Sequence, residues 1–189
     1  MNDVRQRRGI PTSRNVDHIA FTVPDLDKAI SFFTSVLGAE LLYQFGPVQD
    51  PQGNFMARQL NVDAKARCRI AMLRLGPVTN VELFEYEAPD QRREMPRNSD
   101  WGGHHMAIYV DDLDAAIAYL REQPGVTILG EPQLIKGGPI AGNRWVYFLT
   151  PWSLQMEVMH QPSDAPYERD TPSRRFGPAT GWNDRATSE

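Results

Sequence analysis

Two histidines and two glutamates stand in matching company along this chain: His18 in DHIAFTV, His105 in HHMAIYV, Glu82 in VELFEY and Glu157 in MEVMHQ. Imidazoles and carboxylates can move protons or hold a divalent cation. In an extended strand, Val81 and Leu83 take the face opposite Glu82, and Met156 and Val158 the face opposite Glu157. A carboxylate enclosed in this way is costly unless something positive meets it. A divalent metal is the natural counter-charge for two imidazoles and two carboxylates, so His18, Glu82, His105 and Glu157 are the candidate ligands. A lone strand histidine is more often structural, and a lone strand glutamate usually faces water; the argument rests on duplicated placement. Glu85 and Glu87 have the wrong strand parity to join Glu82, and His104 points to the strand margin or the helix side.

The elements that must position these residues also come in two copies. Residues 17–30, DHIAFTVPDLDKAI, align without a gap on residues 104–117, HHMAIYVDDLDAAI, with eight identities in fourteen positions. Each copy opens with a strand of period two. Ile19, Phe21 and Val23 form an apolar face, while His18, Ala20 and Thr22 form a face suited to a cavity wall. A helix follows, with Asp25 or Asp112 as N-cap and Leu26, Ile30, Phe33 and Leu37, or Leu113, Ala116, Ile117 and Leu120, at helical spacing. Three further strands are expected in each copy: 40–45, 66–75 and 81–86 in the first, 127–129, 144–149 and 154–159 in the second. The fold class is therefore α+β, with two tandem βαβββ modules over about 15–87 and 103–160. Residues 1–14 are read as a flexible N-terminal arm, 88–103 as a linker and 161–189 as an extended C-terminal arm.

Bulk properties exclude several classes. The 189 residues suffice for one domain with a core, and 41% apolar and 23% charged residues are ordinary for a globular protein. The net charge of −4 gives no reason to expect nucleic acid. No apolar run is long enough to span a membrane. The single cysteine, Cys68, excludes an intrachain disulfide and agrees with a cytoplasmic location.

With the repeat and the four residues in place, residues 15–160 resemble the vicinal oxygen chelate superfamily. It includes glyoxalase I, methylmalonyl-CoA epimerase, extradiol dioxygenases and fosfomycin- or bleomycin-resistance proteins. The resemblance implies paired modules forming a cup-shaped mixed sheet, helices outside, around one divalent ion (Zn, Ni, Co, Mn or Fe) held by His18, Glu82, His105 and Glu157. It also implies a homodimer, with modules pairing within one chain or across two.

The resemblance specifies the reaction less closely than the fold. The His-Glu-His-Glu set is most similar to glyoxalase I. It implies a lyase or isomerase whose small substrate chelates the metal through vicinal oxygens, with proton transfer through an enediolate-type intermediate and Glu157 or Glu82 as the base. The charged residue bacterial glyoxalase I uses for glutathione is not evident, since Phe21-Thr22 occupy that region. Methylmalonyl-CoA epimerase is resembled by GGHHMAIYVDDLDA and GNRWVYFLTP, but its additional glutamate is missing from residues 66–75, which argues against that reaction. Arg69 on that strand is a candidate for a substrate anion. Tyr147, Thr150, Pro151 and Glu157 follow the spacing of an extradiol Fe(II) dioxygenase, yet the histidine expected before Tyr147 is absent. A non-catalytic ligand-binding protein of bleomycin-resistance type is the remaining alternative. Trp145 and Tyr147 share a strand face and are the expected substrate-binding aromatics, with Phe45, Phe55 and Met56 as further cavity candidates.

Overall fold

A computed structural model describes residues 10–13, 15–162 and 165–171. Its first module runs β1 (Ile19–Thr22), α1 (Leu26–Ser35), β2 (Glu40–Val48), α2 (Phe55–Leu60), β3 (Arg67–Leu75) and β4 (Thr79–Glu87). The second runs β5 (Met106–Tyr109), α3 (Leu113–Arg121), β6 (Thr127–Leu134), β7 (Arg144–Leu149) and β8 (Gln155–His160). The strands form two four-stranded mixed sheets, in the orders β1-β4-β3-β2 and β5-β8-β7-β6. Each opening strand runs parallel to the last strand of its module, which places Ala20 beside Glu82 and Ala107 beside Glu157.

The helices begin where the sequence supplies a cap. Asp25 Oδ1 accepts from Lys28 N at 3.0 Å and Asp112 Oδ1 from Ala115 N at 2.9 Å, each satisfying a backbone donor that has no partner inside the helix. After α1 the chain turns through Gly38, at φ +76°, and Ala39 N returns to Phe33 O at 2.8 Å. A side chain at that φ would be strained, so the glycine permits the exit from the helix.

The apolar faces of both modules meet in one core. Phe21, Val23, Leu26, Phe32, Phe33, Leu73, Val81 and Leu83 join Leu113, Ile117, Leu120, Val146, Phe148, Met156 and Val158 in a single buried cluster. The Phe32 and Trp152 rings meet edge to face at 5.3 Å, and Tyr119 Oη donates to the carbonyls of Ser35 and Val36 across the two helices. Phe33 is fully buried between Phe32 and Trp152. Phe33→Ala should therefore cost about 3–5 kcal/mol in urea-induced unfolding; a cost below about 1 kcal/mol would show that the two modules do not share this core.

The expected boundaries hold to within a few residues for most strands. β6 extends to Leu134 rather than ending at Leu129. The short α2 was not anticipated, because six residues after a Pro-Gly-containing loop carry too little periodicity. α2 brings Met56 onto Cys68, Ile70, Phe84 and Tyr86 and covers one end of the ligand-bearing face of the first sheet. Met56 is thus core and not cavity wall. The N-terminal arm and most of the C-terminal arm lie outside the described residues; the described part, Pro166–Arg169, forms a 3-10 turn whose Tyr167 N donates to Pro139 O.

Candidate functional site

Strand alternation gives each sheet one apolar face toward the shared core and one face bearing the candidate ligands. On the first sheet Tyr43, Met72 and Glu82 lie in register across β2, β3 and β4. On the second Leu129, Tyr147 and Glu157 do so across β6, β7 and β8. The alanines on the opening strands leave room above each glutamate.

Within each module, histidine meets glutamate. His18 Nε2 lies 3.2 Å from Glu82 Oε2, and His105 Nε2 lies 3.0 Å from Glu157 Oε2. The glutamate side chains keep only 17% and 14% of their surface exposed. Burial raises the Glu157 carboxyl above its ordinary range, against the opposing charge and hydrogen bond of His105. The other ring nitrogen is also engaged in both cases. His18 Nδ1 lies 2.9 Å from Asp17 Oδ2, and His105 Nδ1 lies 3.2 Å from Asn98 Oδ1. A partner at Nδ1 orients each ring with Nε2 toward its glutamate, and a metal at Nε2 would require the ring proton on Nδ1. Asp17 and Asn98 were not singled out from the sequence. Asp17 adjoins its histidine in the chain, but Asn98 sits in the linker, where no periodicity marks it.

The four residues form two pairs rather than one cluster. Among the described residues, no group of three or more His, Cys, Asp and Glu side chains is placed to share a cation. Within one chain the contacts recorded for these residues are those of the two His–Glu pairs. The apolar residues of both modules meet in one buried cluster, to which none of the four belongs. The two sheets share no strand pairing. The donor chemistry of each pair still fits a divalent ion, with a carboxylate and an oriented imidazole side by side.

Trp145 and Tyr147 stand as expected on the Glu157 face. Their rings meet at 4.9 Å, and the Tyr147 ring meets His105 at 4.9 Å. Burial raises the Tyr147 hydroxyl pKa, with the Glu157 charge adding to it. Phe45 and Tyr43 are about half exposed on the first ligand face. A separate cleft of about 580 Å³, lined by residues including Phe21, Tyr86, Met95, His104 and Trp152, includes none of the four candidate ligands.

Arg69, the candidate for a substrate anion, is engaged with two carboxylates of its own chain. It lies on the helix side, with NH2 2.7 Å from Asp27 Oδ1 and NH1 3.2 Å from Glu85 Oε2. Glu85 Oε2 also accepts from Leu26 N at 3.1 Å. The second module repeats this clamp: Arg144 NH2 lies 2.8 Å from Asp114 Oδ1, and Asp114 is the repeat equivalent of Asp27. Hydrogen bonds from these arginines hold both aspartates below the ordinary carboxylate range. Parity alone could have revealed this, since Arg69 is out of phase with Cys68 and Ile70. Arg69→Ala should leave KM unchanged and lower stability by no more than about 1 kcal/mol, as befits a pair largely open to solvent; a several-fold rise in KM would restore it to the substrate site.

Comparison with known proteins follows the same geometry. The model of the Glyoxalase/Bleomycin resistance protein/Dioxygenase superfamily matches residues 15–158. The chain belongs to this superfamily. A 2-epi-5-epi-valiolone epimerase from Actinomyces sp is 62% identical over 177 residues, covering 94% of this chain and 96% of the relative. A glyoxalase family protein of Bacillus cereus superposes with a TM-score of 0.62 at 19% identity, over 81% of this chain and 99% of its own. The fosfomycin resistance protein FosX of Listeria monocytogenes, solved with Mn(II) and sulfate, gives a TM-score of 0.50 at 16% identity, over 83% and 98% of the two chains. These structural likenesses establish the superfamily fold, and the described part of this superfamily member has no helix long and apolar enough to cross a membrane.

Proposed function

We propose that this enzyme is an epimerase acting on 2-epi-5-epi-valiolone, a small polar substrate whose name denotes a ketone. The observation that carries the chemistry is the duplicated His–Glu pair, His18 with Glu82 and His105 with Glu157. The substrate follows from the 62% identity, over nearly the full length of both chains, to the relative of that name.

A divalent ion held by these four residues would act as a Lewis acid toward the substrate carbonyl and make the neighbouring C–H more acidic. The identity of the ion, among Zn, Ni, Co, Mn and Fe, is left to elemental analysis. Epimerisation then needs a proton removed from one face of the carbon and returned to the other. Glu157 and Glu82 are the groups assigned to that transfer, one from each module. This answers the objection raised by β3, which has no carboxylate: the second base comes from the equivalent strand of the other module. Trp145 and Tyr147 supply an aromatic wall against the ring of the substrate.

We also propose that the working site forms between two chains of a homodimer. The first module of one chain would face the second module of its partner, since among the described residues of one chain no three such side chains are placed to share a cation. Exposed apolar side chains on or beside these faces, Tyr43, Phe45, Leu129 and Leu134, support the same reading. The cytoplasm is the proposed compartment, in keeping with the free buried thiol of Cys68. No nucleic acid or membrane partner forms part of the proposal.

The direct test is incubation of the metal-loaded enzyme with 2-epi-5-epi-valiolone in D2O, followed by NMR. The expected result is conversion to a single epimer with deuterium at the inverted carbon. Absence of both conversion and exchange with each of the five metals would overturn the assignment.

A further inference from the structure

We propose that the cleft between β1 and the linker binds a small ring compound carrying one anionic group, at a site separate from the two His–Glu pairs. The cleft holds about 580 Å³, inside the range of roughly 300–1,000 Å³ usual for small-molecule sites. Its floor is apolar and draws on both modules. Phe21 lies on β1 and Val23 just after it, while Trp152 and Leu154 come from the turn between β7 and β8. Phe21, Val23 and Leu154 are buried in the shared core, and Trp152 packs against Phe32 and Phe33, so this floor is held by close packing. His104 lines one side, its ring stacked on Phe21 at 5.5 Å. Residues 91–96 of the linker form a further wall.

The charges around the floor differ in whether they are already spent. Glu85 and Glu87 line the cleft, but each is held by groups that do not. Glu85 Oε2 accepts from Leu26 N at 3.1 Å and from the Arg69 guanidinium at 3.2 Å. Glu87 Oε2 accepts from the Arg67 guanidinium at 2.7 and 3.0 Å. Arg92, Arg93 and Glu94 stand on the linker wall, and among the described residues no ion pair engages any of them. Two uncommitted guanidinium groups against one uncommitted carboxylate leave the cleft with a positive excess. A ring on the floor with an anionic group toward the linker uses both features. A neutral apolar molecule leaves the arginines idle, and a cation meets them unfavourably. The guanidinium fork matches carboxylate, phosphate or sulfonate oxygens alike, which sets the class of the ligand. None of His18, Glu82, His105 and Glu157 lines the cleft, so the site stands independently of the metal and of the epimerisation proposed for it.

The test uses two probes on the full-length protein. One is 1-anilinonaphthalene-8-sulfonate, an aromatic ring system with a single sulfonate; the other is N-phenyl-1-naphthylamine, the same rings without it. Fluorescence titration should give saturable binding of the sulfonate. Arg92→Gln combined with Arg93→Gln should weaken that binding roughly 3- to 10-fold, in keeping with contacts open to solvent, and added salt should weaken it in the wild type. The uncharged probe should bind more weakly and should not respond to the double substitution. Location is read from 13C-methyl spectra. The Met95 methyl on the linker wall, assigned by its loss in Met95→Leu, should shift with saturation, while Met159, which strand alternation places on the Glu157 face, should not. Thermal melts confirm that each variant is folded. No binding of the sulfonate, equal affinity for the two probes, or unchanged affinity in the double variant overturns the anion site. A shift at Met159 in place of Met95 overturns its location.

Discussion

A heterodimer of one chain carrying His18→Ala and one carrying His105→Ala is expected to regain about half of the wild-type activity, although each variant alone is inactive. The expectation follows from two-fold symmetry acting on a site shared between chains. One site of such a dimer collects both substitutions and is dead. The other combines the intact first module of the His105→Ala chain with the intact second module of the His18→Ala chain. If the modules paired within a chain, both sites would carry one substitution and nothing would be recovered. Two affinity tags purify the mixed dimer, and the assay is epimerisation followed by NMR. The structural basis is the common core of Phe32, Phe33, Leu113, Ile117 and Trp152, which draws the helix-bearing faces of one chain together. Activity in the mixed dimer no higher than in either single variant would refute the shared site and leave the function itself standing.

Glu157→Gln should lower kcat by roughly 10²- to 10⁴-fold, the usual range for loss of a positioned proton-transfer group. The amide is close in shape to the carboxylate, so folding and Tyr147 packing should survive. It cannot take up a proton, and it is a weaker cation ligand. Metal content and activity should therefore be measured together, and the loss in kcat compared at saturating metal. Solvent deuterium should no longer enter the product at the inverted carbon. Glu82→Gln should also fall, because the second carboxylate is needed to complete inversion. A Glu157→Gln enzyme retaining more than about a tenth of wild-type kcat would remove Glu157 from the proton path.

The paired arginine clamps show how the duplicated sequence serves structure as well as chemistry. Asp27 and Asp114 have folded-state pKa values below their ordinary range. Their contribution is therefore present above the ordinary carboxylate pKa and lost as pH falls through the depressed folded value. Both groups are open to solvent, so the loss is small and is seen as a shallow decline in Tm toward strongly acidic pH. Asp27→Asn combined with Asp114→Asn should flatten that decline.

Much of this protein was legible in the chain itself. The repeat of DHIAFTVPDLDKAI in HHMAIYVDDLDAAI fixed two modules, because identical local patterns impose the same strand, cap and helix twice. Strand parity placed Glu82 and Glu157 opposite Val81, Leu83, Met156 and Val158, and the buried side chains bear this out. Parity also kept Glu85 out of the site, and the same argument applied to Arg69 would have kept it out too. What local pattern does not carry is the relation between modules. Packing decided that, because apolar residues of both modules are buried together in one cluster. Tertiary structure alone also brought Asn98 to His105, since a linker residue has no periodicity from which its contacts can be read. The histidines and glutamates were thus legible as one of each per module from sequence, while the direct His–Glu contacts and the Asn98 neighbour of His105 came only from the packed chain.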